Sequence, residues 1–576
     1  MKVAAFSVVE DFMRDARMLD KAVVECVPNF SEGRDRSTIH AIAEAIASVQ
    51  EVTLLDIDPG ADTNRTVYTF AGKPLAVIEA ALAAARTAAN LITMEAHAGS
   101  HPRMGALDVC PFIPISGISM AECVQLARDF GARLAQELEV PVYLYEEAAA
   151  KPSRRSLADI RSGEYEGLAA KLADPEWRPD FGPARFNPRW GATVTGAREI
   201  LLAYNVNLNT EDVSVAKSIA LELRESGKIL KNPDASPVLD DSGQPKRVPG
   251  RLKAVRAIGW HVQELHCAQV SMNILDYKVT PLWKAFEAVS QEAERRGFAV
   301  SGSELVGLAP AAALVESGRY FQRKAKASPG LPDRELVKAA VKAMGLNSRG
   351  DFDPDKKIIE WAYRRKDRLM DRSVSDFSDE LSSSSPAPGG GTVSACMGAL
   401  GAALAAMVAN LSIGKKGFEE KASILESIAM EAQCIKSELL GRADEDCDAF
   451  NRILDALRLP KRNPEESERR STAVQEATKQ AALVPLGSAK SCLGAMELCA
   501  QALEQGRVSS ATDAAVGFLA AKAGLEGALL NVKINLGGIK DESFVISVQR
   551  DIETLLDRSS ACEKSYHSLL QKTLGF

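Results

Sequence analysis

Two of the chain's six histidines stand four residues apart in the segment MEAHAGSHPRMGALDVCPFI, Met94 to Ile113, among Gly99, Pro102 and Gly105. Histidine is the side chain best placed to move a proton near neutral pH. The spacing of His97 and His101 would put both on one helix face and invites a metal. Gly99 weakens such a helix and Pro102 pushes His101 toward an extended backbone. The third ligand and the carboxylate base of a zinc helix are also missing as a motif. The other readings are a pair of hydrogen-bonded loop residues, or His101 as a general base oriented by an acidic partner.

Candidate partners follow from the same logic. Asp56, Asp58 and Asp62 lie at the end of the run LLDID and just beyond it. Functional groups gather at strand ends in open α/β folds, and an aspartate bonded to one ring nitrogen would fix the histidine tautomer. The same aspartates could simply end the strand through turn bonds. The run FGPARFNPRWG brings Arg185, Phe186, Arg189 and Trp190 together, which suits a flat heteroaromatic ligand bearing carboxylates, or a staple between domains. Arg65, after Asn64, and Arg103 are single cations available to a carboxylate.

The second half of the chain offers two further features. Ala387-Pro388-Gly389-Gly390-Gly391-Thr392 sets glycines directly before a helix, where free N–H groups attract an anion. It is not a P-loop, because the Lys-Ser/Thr ending is missing. Asp444 to Asp448, DEDCD, crowds acids onto a helix-forming run. Like charges at that spacing need solvent or a reason, and a solvated helix face is the simpler account.

The elements that must position these residues alternate at first. Strands are expected at Ala22–Val27, Val52–Ile57, Val67–Phe70, Ala106–Ile113 and Val142–Tyr145. Helices are expected from a Ser37 cap to Val49, over Pro74–Leu91 and over Ser119–Leu138. Residues 175–188, before Gly191, are expected to form a long surface loop, and a second α/β unit follows. It holds strands 200–208, 256–260, 268–274 and 298–301 with helices 212–226 and 281–296. Residues 227–251 interrupt it as an exposed hairpin or disordered insertion. From 387 to the end almost everything reads helical, with helices at 392–411, 415–440, 442–457, 464–484, 487–504, 507–531 and 541–573. Alternating strands and helices followed by helices alone imply an α/β (α+β) module with two subdomains, then an all-α domain. The boundaries implied are 1–22 extension, 23–199 and 200–345 subdomains, 346–386 linker and 387–576 helical domain.

Bulk properties bound the function. With 576 residues, several cores are needed. A formal charge of -7 argues against a nucleic-acid partner and leaves room for an anionic substrate held by a few arginines. Ten cysteines without a CxxC pair fit reduced thiols in the cytoplasm. The uncharged run Pro388–Gly414 is long enough to span a bilayer, but its Ala and Gly content suits a tightly packed helix of a soluble bundle or oligomer.

The phrases VVECVPNFSEGRD (23–35), DPGADTNRTVYTFAG (58–72), SHPRMGALDVCPFIPI (100–115) and DFGPARFNPRWGATVTGAR (180–198) closely resemble glutamate formimidoyltransferases. APGGGTVSA (387–395), DEDCDAF (444–450) and RLPKRNPEE (458–466) resemble formimidoyltetrahydrofolate cyclodeaminases. Their order matches the bifunctional formimidoyltransferase-cyclodeaminase family of histidine degradation. The resemblance implies transfer of a formimidoyl group from N-formimidoyl-L-glutamate to N5 of tetrahydrofolate, releasing glutamate. Cyclisation to 5,10-methenyltetrahydrofolate with loss of ammonia would follow. It also implies His101 as catalytic base, Asp58 as its assistant and Asp446 as the cyclodeaminase acid. Folate contacts fall on Gly182, Pro183, Ala184, Arg185, Phe186, Asn187, Pro188, Arg189, Trp190 and Gly191, and on Glu222, Leu223 and Arg224. The implied co-substrate is polyglutamylated tetrahydrofolate, with no metal, no nucleic acid and no membrane. The implied assembly is a cytoplasmic homo-oligomer, a ring of dimers. Two alternatives stand beside this: a formimidoyltransferase alone whose helical domain serves oligomerisation, and a non-catalytic folate-binding scaffold. Residues 1–22, the insertion 230–247 and the stretch 346–384 depart from the family pattern.

Overall fold

The computed structural model describes residues 22–99, 101–234, 236–241, 243–348, 350–363 and 368–575. The extension expected over 1–22 lies outside them except for Ala22. The described residues divide into two compact units, one within 1–314 and 341–364, the other within 315–340 and 365–576.

Among its described residues the first unit holds two large sheets and a two-stranded hairpin. Seven strands build the first: β1 (Val23–Cys26), β2 (Asn29–Phe30), β3 (Val52–Gly60), β4 (Arg65–Gly72), β5 (Leu107–Ser116), β6 (Val142–Glu146) and β7 (Thr193–Ala197). β3 pairs β4, β4 pairs both β1 and β2, and these pair β5, all antiparallel. β5, β7 and β6 then continue in parallel. Helices α1 (Arg36–Ala47), α2 (Pro74–Leu91) and α3 (Met120–Leu138) cover one face with Phe30, Tyr68, Phe70 and Phe112. Each helix has a local cause. The Asp35 carboxylate, rather than the expected Ser37, caps α1 by accepting from Ser37 N and Thr38 N. Pro74 opens α2, where its missing N–H costs nothing. Ser119 and Glu122 close a capping box on α3. Two short helices, α4 (Leu157–Arg161) and α5 (Leu168–Ala173), lie between β6 and β7 in the chain.

The second sheet is antiparallel, in the order β11 (Val255–Val262), β12 (Cys267–Ile274), β8 (Leu202–Leu208), β13 (Val300–Val306). Helices α6 (Val213–Leu223) and α7 (Leu282–Glu294) belong to the same subdomain. The insertion forms a small hairpin, β9 (Lys228–Ile229) with β10 (Arg247–Val248), largely exposed. Further on come α8 (Ala311–Lys324) and α9 (Asp333–Met344). Where a linker is expected at 346–386, three short helices form: α10 (Pro354–Lys357), α11 (Ile359–Ala362) and α12 (Val374–Leu381).

The second unit is dominated by α13 (Gly390–Ser412), α14 (Ala422–Arg458), α15 (Pro464–Gln505), α16 (Ala511–Leu536) and α17 (Glu542–Leu574). Small residues let backbones touch. A Cβ on Gly401 would lie 2.6 Å from Gly517 O, and one on Gly524 would lie 2.6 Å from Ser394 O. This explains the Ala and Gly content of α13, which is long and apolar enough to cross a membrane yet mostly buried inside its unit. Residues 508–536 pass the same test and keep more of their apolar surface outside.

Two expected breaks are absent. Helices expected at 415–440 and 442–457 form the single α14, running through Gly441. Those expected at 464–484 and 487–504 form the single α15 despite Pro485 inside it. Proline leaves the carbonyl four residues earlier without its helical donor. Here Asn535 Nδ2 supplies one, 2.7 Å from Ala481 O, so the helix survives its proline.

Candidate active sites

The face of the first sheet opposite the three helices lines a cavity of 810 Å³. Register explains which residues reach it. Asn29 stands opposite both Val67 and Val109, and all three line the cavity. Arg65, two residues before Val67, points to the same face. Leu201, Arg256 and Leu275 close the cavity from the second sheet's subdomain. Its walls carry Arg65, Arg155, Arg161, Arg198 and Arg256 against Glu146, Glu147 and Glu199, a cationic surplus suited to carboxylates.

His101 is half-buried beside this wall. Its Nδ1 lies 2.6 Å from the carbonyl of Pro102, so Nδ1 carries the hydrogen and donates it. Arg65 Nη1 lies against the ring, 2.5 Å from Nε2 and 2.8 Å from Nδ1, so it is the Pro102 carbonyl, which can only accept, that puts the hydrogen on Nδ1 and leaves the lone pair on Nε2. Burial lowers the His101 pKa, the Arg65 charge lowers it further, and the Pro102 carbonyl opposes them. The result is an unprotonated imidazole, the form a base requires. The other Nη of Arg65 bonds Asn29 Oδ1. Beneath them Asp108, fully buried, accepts from Arg161 and from Met104 N at 2.9 Å.

His97 does different work. Its Nδ1 accepts from Arg103 Nε at 3.2 Å, so the Nε2 hydrogen goes to Asn64 O at 2.8 Å. Both ring nitrogens are spent, which makes His97 a structural residue. Arg103 is spent as well, on Glu164 and Glu166. Among the described residues no three His, Cys, Asp or Glu side chains gather as a metal site.

Asp58 is exposed on β3, directly opposite Val67, which puts it at the end of the cavity row Val109–Asn29–Val67. Among the described residues no hydrogen bond joins it to His101. The groups that orient the ring are Arg65 and the Pro102 carbonyl.

The segment Gly182–Gly191 is stitched to both sides of the histidine loop. Met94 N donates to Arg189 O at 3.0 Å and Ala106 N to Trp190 O at 2.8 Å. Asn187 Oδ1 accepts from the N–H groups of Arg189 and Trp190, folding the segment on itself. Gly182 and Gly191 have φ +80 and +81, with carbonyls of Val140 and Met104 where a Cβ would sit. Ala184, Arg185 and Pro188 are exposed between them, while Pro183 and Phe186 are half-buried, Phe186 against the Tyr165 ring. Trp190 corrects the expectation of an aromatic plane for a ligand: it is 3% exposed, in the core, and its indole N–H is bonded to Thr193. Glu222, Leu223 and Arg224 close α6 and do not line the cavity. Glu222 pairs with Lys228, Leu223 is buried and Arg224 Nε bonds Gly227 O.

In the second unit Asp446 lies on α14 and faces the first turn of α13. Thr392 Oγ1 donates to Asp446 Oδ2 at 2.9 Å. A Cβ on Gly391 would lie only 2.3 Å from Asp446 Oδ1, so glycine is what lets the carboxyl approach. The group lying against the start of α13 is therefore a carboxyl of the same chain. Burial raises the Asp446 pKa, and the Thr392 bond works against it. Burial likewise raises the neighbouring Cys447 thiol. Asp444 is not a solvated acid either: it accepts from Arg368 Nε and Leu369 N, both at 3.0 Å.

Sequence reading missed the arginine cluster, because its members come from distant segments with no shared motif. It also missed the contact of Asp446 with Gly391 and Thr392, although both partners had been singled out separately.

Comparison with known proteins gives the family of both halves of the chain. Family models described as "Formiminotransferase domain, N-terminal subdomain", "Formiminotransferase domain" and "Formiminotransferase-cyclodeaminase" match residues 23–198, 203–364 and 373–554. The formimidoyltransferase-cyclodeaminase of Rattus norvegicus is 44% identical over 93% of this chain and 96% of its own length. The glutamate formimidoyltransferase of Streptococcus pyogenes is 40% identical over 52% of this chain and 93% of its own. A methenyltetrahydrofolate cyclohydrolase of Methylorubrum extorquens is 37% identical over 35% of this chain and 97% of its own.

Proposed function

The chain belongs to the formimidoyltransferase-cyclodeaminase family, and from that premise we propose how its residues divide the two reactions. It is a folate-dependent bifunctional enzyme, with glutamate formimidoyltransferase activity in the sheet-containing half and cyclodeaminase activity in the helical half.

In the first reaction N5 of tetrahydrofolate attacks the amidine carbon of N-formimidoyl-L-glutamate and loses its proton. His101 Nε2 takes that proton, and the amino group of glutamate leaves with one. The observation that carries this assignment is the tautomer: Nδ1 is bonded to a carbonyl, which leaves Nε2 as the basic nitrogen beside the cationic cavity. The cavity arginines hold the glutamate carboxylates. Asp58, at the end of the cavity row, supports the charge on the imidazolium as it forms. The exposed part of Gly182–Gly191, with Arg185 and Phe186, receives the folate. Glu222 to Arg224 give a more distant folate contact, reached by a long glutamate tail.

In the second reaction N10 attacks the same carbon and ammonia leaves. Ammonia is a poor leaving group unless its nitrogen is protonated. Asp446 gives that proton, and its raised pKa keeps a proton on it at higher pH than an ordinary aspartate. No metal has a part in either step.

The enzyme acts in histidine degradation, in the cytoplasm, on polyglutamylated folate, as a homo-oligomer built from dimers. Self-association is supported by the outer face of α16, where Val516, Leu519, Leu530 and Ile534 are all more than half exposed at helical spacing.

A coupled assay with formimidoylglutamate and tetrahydrofolate tests the assignment. H101A should release no glutamate, while D446A should release it and accumulate the 5-formimidoyl intermediate without methenyltetrahydrofolate absorbance. Normal methenyl formation by D446A would overturn the second assignment, and normal glutamate release by H101A the first.

A further inference from the structure

Two polar side chains flank the first turn of α13. One is Asp446, which reaches Gly391 from α14. The other is Asn531, on α16. The position that a Cβ on Gly390 would take lies 3.4 Å from Asn531 Nδ2 and 3.8 Å from its Oδ1. Successive helical residues point about 100° apart, so the acid and the amide stand on adjacent faces of one turn. Gly390 itself is exposed, so the corner between them opens outward.

The amide has one orientation. Asn531 Nδ2 donates to Gly527 O at 2.8 Å, and a carbonyl can only accept, so nitrogen and oxygen cannot be exchanged. Oδ1 is thereby turned away from that carbonyl, and among the described residues no donor reaches it. Ser394 Oγ donates to Gly390 O at 2.7 Å and packs against Gly527, which fixes α13 and α16 to each other at this level. Asn535, one turn later, spends its amide on Ala481 O of α15. Asn531 has no such use. It bonds only its own helix, where alanine would serve α16 better.

We infer that Asn531 Oδ1 holds the leaving nitrogen of 5-formimidoyltetrahydrofolate against Asp446. This rests on Asp446 being the acid of the second reaction. N10 adds across the C=N bond of the formimidoyl group. The N10–C bond forms, the π pair goes to the imino nitrogen, and the N10 proton ends there too, giving an NH2 group. Asp446 protonates that nitrogen, the C–N bond breaks with its pair on ammonia, and the N5 lone pair forms the C=N bond of the methenyl cation. Throughout, the lone pair of the departing nitrogen must face Asp446. An acceptor on the adjacent face takes one of its N–H bonds and fixes that orientation. A second carboxylate there would compete for the proton that Asp446 has to give, whereas an amide oxygen does not.

The test supplies 5-formimidoyltetrahydrofolate to the full-length enzyme. Asn531→Leu keeps the side chain's bulk and removes the acceptor. Its kcat for methenyl formation should fall about tenfold to a hundredfold, as for loss of a hydrogen bond to a charged group. KM should stay near wild type, because the contact tightens only as charge develops on the nitrogen. Glutamate release from formimidoylglutamate should be unchanged. Ammonium, the product, should inhibit wild type at lower concentration than Asn531→Leu, a difference that a purely structural asparagine would not make. Gly390→Ala is the second variant. Its methyl meets the Asn531 amide at ordinary contact distance, so the fold tolerates it, and it covers Oδ1. It should slow methenyl formation in wild type and cost nothing further in the Asn531→Leu background. A folded Asn531→Leu with kcat within a few-fold of wild type, or with unchanged ammonium inhibition, overturns the inference. If Asn531→Leu fails to fold, full cyclodeaminase activity in Gly390→Ala overturns it instead. The acid assignment is judged separately, by methenyl formation in D446A.

Discussion

Gly391→Ala is the sharpest perturbation of the cyclodeaminase site, because the space for the added methyl is known. The new Cβ would lie 2.3 Å from Asp446 Oδ1 and 2.7 Å from both Cγ and Oδ2. Ordinary contact requires more than 3 Å, so the carboxyl must retreat by roughly 1 Å. That retreat breaks or stretches the 2.9 Å bond from Thr392 Oγ1. A misplacement of about 1 Å at a reacting group costs about a hundredfold in rate. Stability should change little. Alanine gains up to about 1 kcal/mol over glycine in a helix, and the loss of one hydrogen bond costs about as much.

The assay supplies 5-formimidoyltetrahydrofolate directly and follows methenyltetrahydrofolate absorbance, with glutamate release from formimidoylglutamate as the internal control. The expected result is a cyclodeaminase rate down by about two orders of magnitude. The melting temperature and the transferase rate should stay near wild type. A cyclodeaminase rate within a few-fold of wild type would show that the close approach of Asp446 to the start of α13 is incidental.

Glu25, in the middle of β1, gives a pH-dependent test. Burial raises its carboxyl from 4.5 to about 7, with Arg198 opposing and Glu360 reinforcing. The folded chain keeps a proton that the unfolded chain releases, so this contribution is complete below the unfolded value of 4.5 and is lost as pH rises through about 7. The full loss is roughly 3 kcal/mol, and Glu25→Gln should remove it, narrowing the drop in melting temperature between mildly acidic and mildly alkaline buffer. An unchanged drop would place the pH dependence elsewhere. Asn535→Leu should cost about 1–3 kcal/mol by orphaning the buried Ala481 carbonyl. In a Pro485→Ala background, where residue 485 regains an N–H, the cost should shrink, and a double-mutant cycle without coupling would refute that account of the helix.

The helices over 74–91 and 119–138, the Ala and Gly content of α13 and the alternation of the first half were legible because they are local. Caps, periodicity and small residues act within a few positions. What escaped depends on contacts between distant residues. Pro485 argued for a break, and only Asn535, from another helix, removes the reason for one. Trp190 looked like a ligand platform by composition, while its burial is decided by packing with the rest of the sheet core. His101 was legible as a loop residue through Pro102, but its contact with Arg65 needs β4 beside β2 and the loop folded over both. Asp444 and Asp446 looked like one acidic cluster. The fold separates them, giving one to Arg368 and the other to Thr392.

The central claim is that one chain holds two chemically independent sites, His101 serving the transfer and Asp446 the cyclisation. Mixing purified H101A and D446A in equal amounts with formimidoylglutamate and tetrahydrofolate tests it directly. Each variant alone should make no methenyltetrahydrofolate. The mixture should make it after a lag, as intermediate formed by D446A reaches the intact second site of H101A. A mixture that stays inactive, with both variants folded and H101A also unable to convert supplied 5-formimidoyltetrahydrofolate, would contradict the claim.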